Sequence, residues 1–282
     1  MHGPALLARF LEIPGPPDKH GNVWQYNSRS DRHSKVGSWG VAFDLLLTSS
    51  LLYRHVEQRK VVLGVNHQMR DFATGRRKDL DLVIARPAGA VPAAHRSLRS
   101  LALDYGVPLT PEELRVLKRL PDFPVAAVGA VYAALEAKAA MTAHIKALPR
   151  LYDELNSSHL CVHGASAQAL AIAYVQINAA PRFVSSVTNN YPLDKVGVTY
   201  STHRQPSDTE RVVQKIRELP RRTRPTENGF DGIGITVLDF ANDGGSVRIL
   251  NSPPAPRPDE SDNYARMVER MAAEYDTRFV GV

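Results

Sequence analysis

The sequence predicts an α/β fold of the mixed α+β kind, a central mixed β-sheet flanked by helices, on three observations. Val61, Leu63, Val65 and Met69 alternate with Gly64, Asn66, Gln68 and Arg70, and a second strand-like run follows at Asp79–Ile84. Helical stripes occur at Phe43, Leu46, Leu47 and Leu51, and again at Tyr264, Met267, Met271 and Tyr275. Two further apolar runs, Val125–Tyr132 and Ala169–Ile177, have the length and composition of buried strands.

In chain order, residues 1–37 are expected as an irregular arm, broken by Pro14, Pro16 and Pro17. Its Arg29, Arg32 and Lys35 fit either nucleic-acid contacts or a solvated loop. Trp39–Glu57 is expected as a helix. Asp44 shares its apolar face with Leu47 and Leu51, so it needs a partner. Residues 60–85 are expected as an antiparallel hairpin turning at Gly75, with Arg76, Arg77 and Lys78 forming a basic tip placed to grip a phosphate backbone. A helical insertion at about 86–124 carries helices near Pro92–Tyr105 and Pro111–Leu120. The strand at Val125–Tyr132 feeds into Glu136-Ala137-Lys138, although Ala133–Met141 is also rich in helix formers and reads alternatively as a surface helix.

Met141–Leu155 is expected as a helix on which Thr142, Lys146 and Arg150 fall four apart, either as nucleic-acid contacts or as an ordinary wet face. His159, Cys161 and His163 alternate as on a strand; zinc would need a fourth ligand, and a histidine pair around a buried thiol is the other reading. The core is expected to span 38–188, followed by a basic α+β portion at 189–282 that extends the sheet or carries target recognition. There, a helix from Ser207 or Asp208 stops at Pro220. Arg221, Arg222 and Arg224 then lie in a loop, reaching phosphates or simply solvated. A hairpin flanks 241–245, and a last helix is opened by Asp259, Glu260 and Asp262.

At 282 residues the chain can build one large domain or two modest ones. The net charge of +6 suits a polyanion partner. One cysteine, Cys161, excludes an internal disulfide and fits a reducing, cytoplasmic compartment. No apolar stretch is long enough to span a bilayer, and residues 1–10 lack the form of a secretory signal. A Gly-rich phosphate loop ending in Gly-Lys-Ser/Thr is absent, which removes an ATP-driven motor from consideration.

The chemistry lies in two segments. Asp79 and Asp81 fall on one face of a strand by alternation, and two carboxylates side by side call for a cation or for water. Glu136-Ala137-Lys138 adds a third acid and an ammonium group. Magnesium keeps several waters and needs only one or two carboxylates. A lysine beside it can orient the attacking water.

These residues resemble the motif of the PD-(D/E)xK nuclease superfamily, whose fold is called restriction-endonuclease-like. The resemblance covers roughly residues 38–180 and implies that Asp81 and Glu136 hold Mg²⁺ (or Mn²⁺) with the Ala137 carbonyl, while Lys138 serves the attacking water. Asp44 and Asp79 are further candidate ligands. No proline precedes Asp81, and 55 positions separate it from Glu136, a longer connection than the family's usual one. The expected activity is a metal-dependent, restriction-type DNA endonuclease leaving 5′-phosphates, most simply a two-fold homodimer. The alternatives are a non-catalytic nucleic-acid-binding or assembly protein, and an RNA-directed nuclease of the same fold.

Overall fold

The fold was described from a computed structural model, for residues 1–92 and 96–282. The chain opens with helix α1 (Gly3–Glu12), whose Leu6, Leu7 and Leu11 are fully buried. Helix α2 (Arg32–Thr48) crosses it so closely that a Cβ on Gly40 would meet the Gly3 Cα at 2.8 Å. The expected irregular arm 1–37 is therefore irregular only between these helices, at 13–31. The expected helix 39–57 begins earlier and breaks: α2 is followed by α3 (Ser50–Glu57) at a bend of 98°. Thr48-Ser49-Ser50 explains the break. Ser49 is extended, and its side chain accepts from Leu52 N to cap α3, which competes with helix continuation.

Strands β1 (Val62–Arg70) and β2 (Arg77–Pro87) form the expected hairpin. Its turn is held by Asp71, whose backbone pairs with Arg76 and Gly75 and whose carboxylate accepts from Ala73 N and Thr74 Oγ1. Gly75 supplies the positive φ that the turn requires. The insertion follows, with β3 (Arg96–Ser97), α4 (Leu98–Asp104), α5 (Pro111–Arg119) and β4 (Pro124–Val125). The second expected helix is α5, whereas the first, near Pro92–Tyr105, is helical only as α4: Arg96 and Ser97 are strand, and residues 93–95 lie outside the described ones. β4 pairs with β1 and β3 with β4, so the insertion extends one sheet edge.

β5 (Val128–Ala140) is a strand of 13 residues and contains Glu136-Ala137-Lys138 in its interior, so the surface-helix reading is excluded. It pairs antiparallel with β2 on one side and parallel with β6 (Leu170–Asn178) on the other. A parallel neighbour demands a crossover, supplied by α6 (His144–Ala165). His159, Cys161 and His163, expected on a strand, belong to this helix. Residues two apart on a helix face away from each other, so the three cannot share a zinc ion. Instead His159 Nε2 lies 2.9 Å from Asn156 Oδ1 and His163 Nε2 2.8 Å from the Gly229 carbonyl.

A small pair, β7 (Arg182–Phe183) and β8 (Ser201–Thr202), encloses the short α7 (Leu193–Val196). Then α8 (Ser207–Arg217) packs on α6, and β9 (Gly232–Asp239) adds parallel to β6. β10 (Arg248–Leu250) closes that edge, and α9 (Tyr264–Arg278) lies against β9. Gly232 and Gly234 make this approach possible: a Cβ on either would sit under 3 Å from Met271 or Met267. The C-terminal portion thus extends the core sheet, which runs β10-β9-β6-β5-β2-β1-β4-β3.

Two apolar layers sandwich this mixed sheet. One, under α1, α2 and α9, takes Leu82, Ile84, Leu135 and Ile172; the other, under α6 and α8, takes Val83, Ala134, Ala173 and Val175. Among the described residues no single helix is long and apolar enough to cross a membrane; α2 and α3 pass that test only together, across their bend.

Candidate functional site

The site forms where β2 and β5 stop obeying regular pairing. Their register shifts at Ile84/Ala85 and again at Ala85/Pro87, then runs unbroken from Ile84 to Leu82 opposite Leu135, which puts Asp81 beside Glu136. There Ala137 N donates to the Asp81 side chain (Oδ2, 2.7 Å). On the other side of β2, the register with β1 sets Asp81 opposite Asn66, which adopts a left-handed φ of 49°. Strict alternation slips at this point. Leu82 packs in the layer under α2, whereas Leu80 packs with Val83 in the layer under α6. Asp79 consequently does not share a face with Asp81 toward Glu136. It is exposed and accepts from Gln68 Nε2 at 3.1 Å, so it is removed from the expected ligand set.

The same slip carries Lys78 inward. Expected at the basic tip, it instead places Nζ 3.3 Å from Glu136 Oε1, with its side chain only 19% exposed. Its cross-strand neighbour Met69 is part of the layer under α6, which fixes that direction. Arg76 and Arg77 remain exposed at the start of β2.

Glu136 is 2% exposed. Its Oε1 accepts from Lys138 Nζ at 2.7 Å, while its Oε2 is buried with no hydrogen-bond partner among the described residues. Burial, and then the negative charge of Glu136, push the Asp81 carboxyl up to about 7. Burial opposes the Lys138 ammonium, but Glu136, Glu154 and Asp81 outweigh it and raise its pKa. Lys138 is thus held as a cation.

Glu154 was not singled out by the sequence. It projects from α6 and bridges Lys138 (Oε2 to Nζ, 3.3 Å) and Arg150 (Oε1 to Nε, 2.6 Å). Burial works against its carboxylate, yet these two cations hold it below the usual glutamate range. A signal for it existed. Glu154 lies three residues after buried Leu151 and four after Arg150, at the border of the helix's buried face.

A cavity of about 440 Å³ opens beside Lys138. It is walled by Thr142, Arg150 and Glu154 on one side, and by Arg29, Asp31 and His33 at the entry to α2 on the other. His33 is pushed down to about 4 by burial, with Lys138 adding to the effect, so it is neutral near pH 7. Of the three arm cations, Arg29 thus belongs to the cavity wall, whereas Arg32 lies over the Phe10 ring and Lys35 pairs with Asp31. Thr142 Oγ1 is 3.1 Å from His203 Nε2, and Arg150 and Lys146 are exposed on α6. Ala143, which links β5 to α6, is left-handed at φ 52°, a conformation that costs about 1–2 kcal/mol for a residue with a Cβ.

Other expected site residues stand elsewhere. Asp44 is not a metal ligand. It is 1% exposed and fully used by His2 N, Gly3 N and Tyr264 Oη, which it ties together at the start of α1. Arg222 does not reach phosphates either. It is 1% exposed, with its guanidinium on Asp231 and on the Ala167, Ala169 and Pro225 carbonyls. Arg221 is half-buried near Ser261, and Arg224 is exposed. This loop sits at the Ala169 end of β6, whereas Lys138 aligns with Val175. Six residues of strand separate the two levels by roughly 20 Å.

Comparison with protein-family models, curated proteins and solved structures finds no match.

Proposed function

We propose that this protein is a metal-dependent nuclease of the PD-(D/E)xK type, with a restriction-endonuclease-like core formed by α2, β1, β2, β5, α6 and β6. One observation carries the reading. Two acids 55 positions apart converge in a buried site, and the second belongs to an acid-x-lysine whose ammonium lies 2.7 Å away. Burying two carboxylates together is unfavourable unless something positive is gained there. The notch in β2–β5 pairing, with Asp81 taking the Ala137 N–H, is the kind of local departure from regularity that functional sites retain.

The donor set fits magnesium or manganese. Glu136 Oε2 is an acceptor without a partner among the described residues, Asp81 adds a second oxygen donor, and the Ala137 carbonyl is the proposed third. Among the described residues no three His, Cys, Asp or Glu side chains converge, so the set is too sparse for a closed structural zinc site. It suits a cation that keeps most of its waters. Bound there, the cation would polarise a phosphoryl oxygen and acidify a water.

The chain's own contribution follows from Lys138. Its ammonium is held charged by the carboxylates around it. It donates hydrogen bonds, orients a water and offsets charge on the phosphoryl oxygens. The exposed Arg150 and Arg29 at the cavity fit a polyanionic substrate. The substrate we propose is DNA, cut in restriction-type fashion to leave 5′-phosphates, and cutting of both strands is simplest for a two-fold dimer.

The test is plasmid cleavage with Mg²⁺ by the wild type and by Lys138→Ala, with folding checked by circular dichroism. Cleavage lost in the variant supports the proposal. DNA binding without cleavage, unchanged in Glu136→Gln, supports a non-catalytic binding protein instead. A parallel RNA digestion distinguishes the two nucleic acids.

A further inference from the structure

We propose that Glu154 is a positioning residue for Lys138, taking over its ammonium when a divalent cation occupies Glu136. The inference rests on the nuclease reading and adds a residue that the acid-x-lysine motif does not contain.

As the site stands, Glu136 is already engaged by two cations. Lys138 lies 2.7 Å and Lys78 3.3 Å from the same oxygen, Oε1. A third positive centre at this carboxylate meets like-charge repulsion from both. Glu136 is 2% exposed and lies behind Lys138, whose side chain is 26% exposed and borders the cavity. An ion arriving from the cavity therefore encounters the Lys138 ammonium before the carboxylate. Entry requires that this group move without losing its charge or its partner.

Glu154 supplies that partner. Its Oε2 is already 3.3 Å from Lys138 Nζ, so a shift on the order of half an ångström converts a shared ammonium into one held chiefly by Glu154. Glu154 is itself fixed from the opposite side by Arg150, whose Nε donates to Oε1 at 2.6 Å. The two contacts use different oxygens, so neither competes with the other. The result is a chain Arg150–Glu154–Lys138–Glu136 running from the exposed helix face to the buried carboxylate. In its shifted position Lys138 still borders the cavity, where it can meet a water or a phosphoryl oxygen.

The measurement is Mn²⁺ titration by calorimetry on the full chain, comparing wild type, Glu154→Gln, Lys138→Met and the double variant. Glutamine preserves shape and can still accept from Arg150, but it cannot hold an ammonium by charge. Glu154→Gln is expected to weaken Mn²⁺ binding about tenfold in the wild-type background and by less than about twofold when Lys138 is Met. Glu154→Asp should recover part of the loss, and Glu154→Ala replaces Glu154→Gln in the cycle if the glutamine variant does not fold. An unchanged Mn²⁺ affinity in Glu154→Gln overturns the proposal. An equal loss in both backgrounds overturns it too, since Glu154 would then act by its own charge or through the fold. Failure of the wild type to bind Mn²⁺ at all instead removes the nuclease reading, and this inference with it.

Discussion

Two buried ionic clusters lie on opposite levels of the same sheet and treat their charges in opposite ways. Around Arg222 and Asp231, opposite charges meet and every guanidinium nitrogen of Arg222 has an acceptor. Arg222 donates to Asp231 and to backbone carbonyls, and Asp231 Oδ2 accepts from Ala171 N at 2.8 Å. Arg278 adds a second guanidinium 2.9 Å from Asp231 Oδ1, though not aligned as a hydrogen bond. Around Asp81 and Glu136, like charges meet, one Glu136 oxygen has no partner among the described residues, and two lysines share the other. The first arrangement ties the loop 221–231 and the end of α9 to the start of β6. The second is costly for the fold by itself, and that cost is what a bound cation would relieve.

Activity should separate the clusters most sharply. Lys138→Ala is expected to lower Mg²⁺-dependent cleavage by on the order of a hundred- to a thousandfold while the protein melts within a few degrees of wild type. A supercoiled-plasmid assay alongside thermal denaturation checks both. Arg222→Met should do the reverse. It leaves Asp231 buried beside a single remaining guanidinium, so about 3–5 kcal/mol of stability is lost in urea unfolding. Under conditions where the variant stays folded, its cleavage rate should match the wild type. If Arg222→Met selectively abolished DNA cleavage in a stable protein, the division drawn between the clusters would be wrong.

The pH response should sharpen the same contrast. Asp81 has a folded-state pKa raised to about 7, so the folded protein binds its proton more tightly than the unfolded chain does. The penalty is absent below the unfolded value near 3.8, grows as pH rises through that window, and is complete above about 7. Asp81→Asn can still accept from Ala137 N but carries no charge. It should therefore stabilise the metal-free protein by up to about 4 kcal/mol at pH 8, and by little at pH 4. Paired urea titrations at the two pH values decide it. Equal stabilisation at both would mean that the carboxylate is not charge-strained.

Much of this was legible in the sequence because it depends on local pattern. The hairpin 62–87, the two insertion helices, α8 with its Pro220 stop, and the stripe of α9 all follow from periodicity and turn chemistry. Asp81 and Glu136 could be paired only through a motif, because 55 positions and an edge insertion separate them. What failed did so for tertiary reasons. His159, Cys161 and His163 suit a strand equally well, and only the crossover between parallel β5 and β6 demands a helix there. Asp44 was correctly marked as needing a partner, yet the partner is the start of α1, 41 residues away. Lys78 and Asp79 exchanged roles because the alternation of β2 slips opposite Asn66; asparagine tolerates a left-handed φ, but its presence alone does not mark a slip. Arg222 looked like one more loop arginine; its burial depends on carbonyls more than 50 residues away.

The smallest effect to be measured belongs to the Arg222 cluster and has the opposite pH sign to that of Asp81. His159 is 1% exposed, packs against His163 and Phe230, and is pushed down to about 4 by burial, with the charges of His163 and Arg222 adding to it. A histidine with a depressed folded pKa is neutral in the native protein while the unfolded chain protonates near 6.5. Stability is then intact above about 6.5 and falls as pH drops toward 4. At pH 5 the loss from this one group is about 2 kcal/mol. His33, also near 4 but beside Lys138, contributes a similar acid loss from the other cluster, so the total slope does not distinguish them. The difference between wild type and His159→Gln does. Glutamine keeps a polar group facing Asn156 and cannot titrate, so the variant should lose about 2 kcal/mol less than wild type on going from pH 7.5 to pH 5. An identical acid loss in the two proteins would show that His159 is already protonated in the fold, and that the cluster around Arg222 tolerates another positive charge.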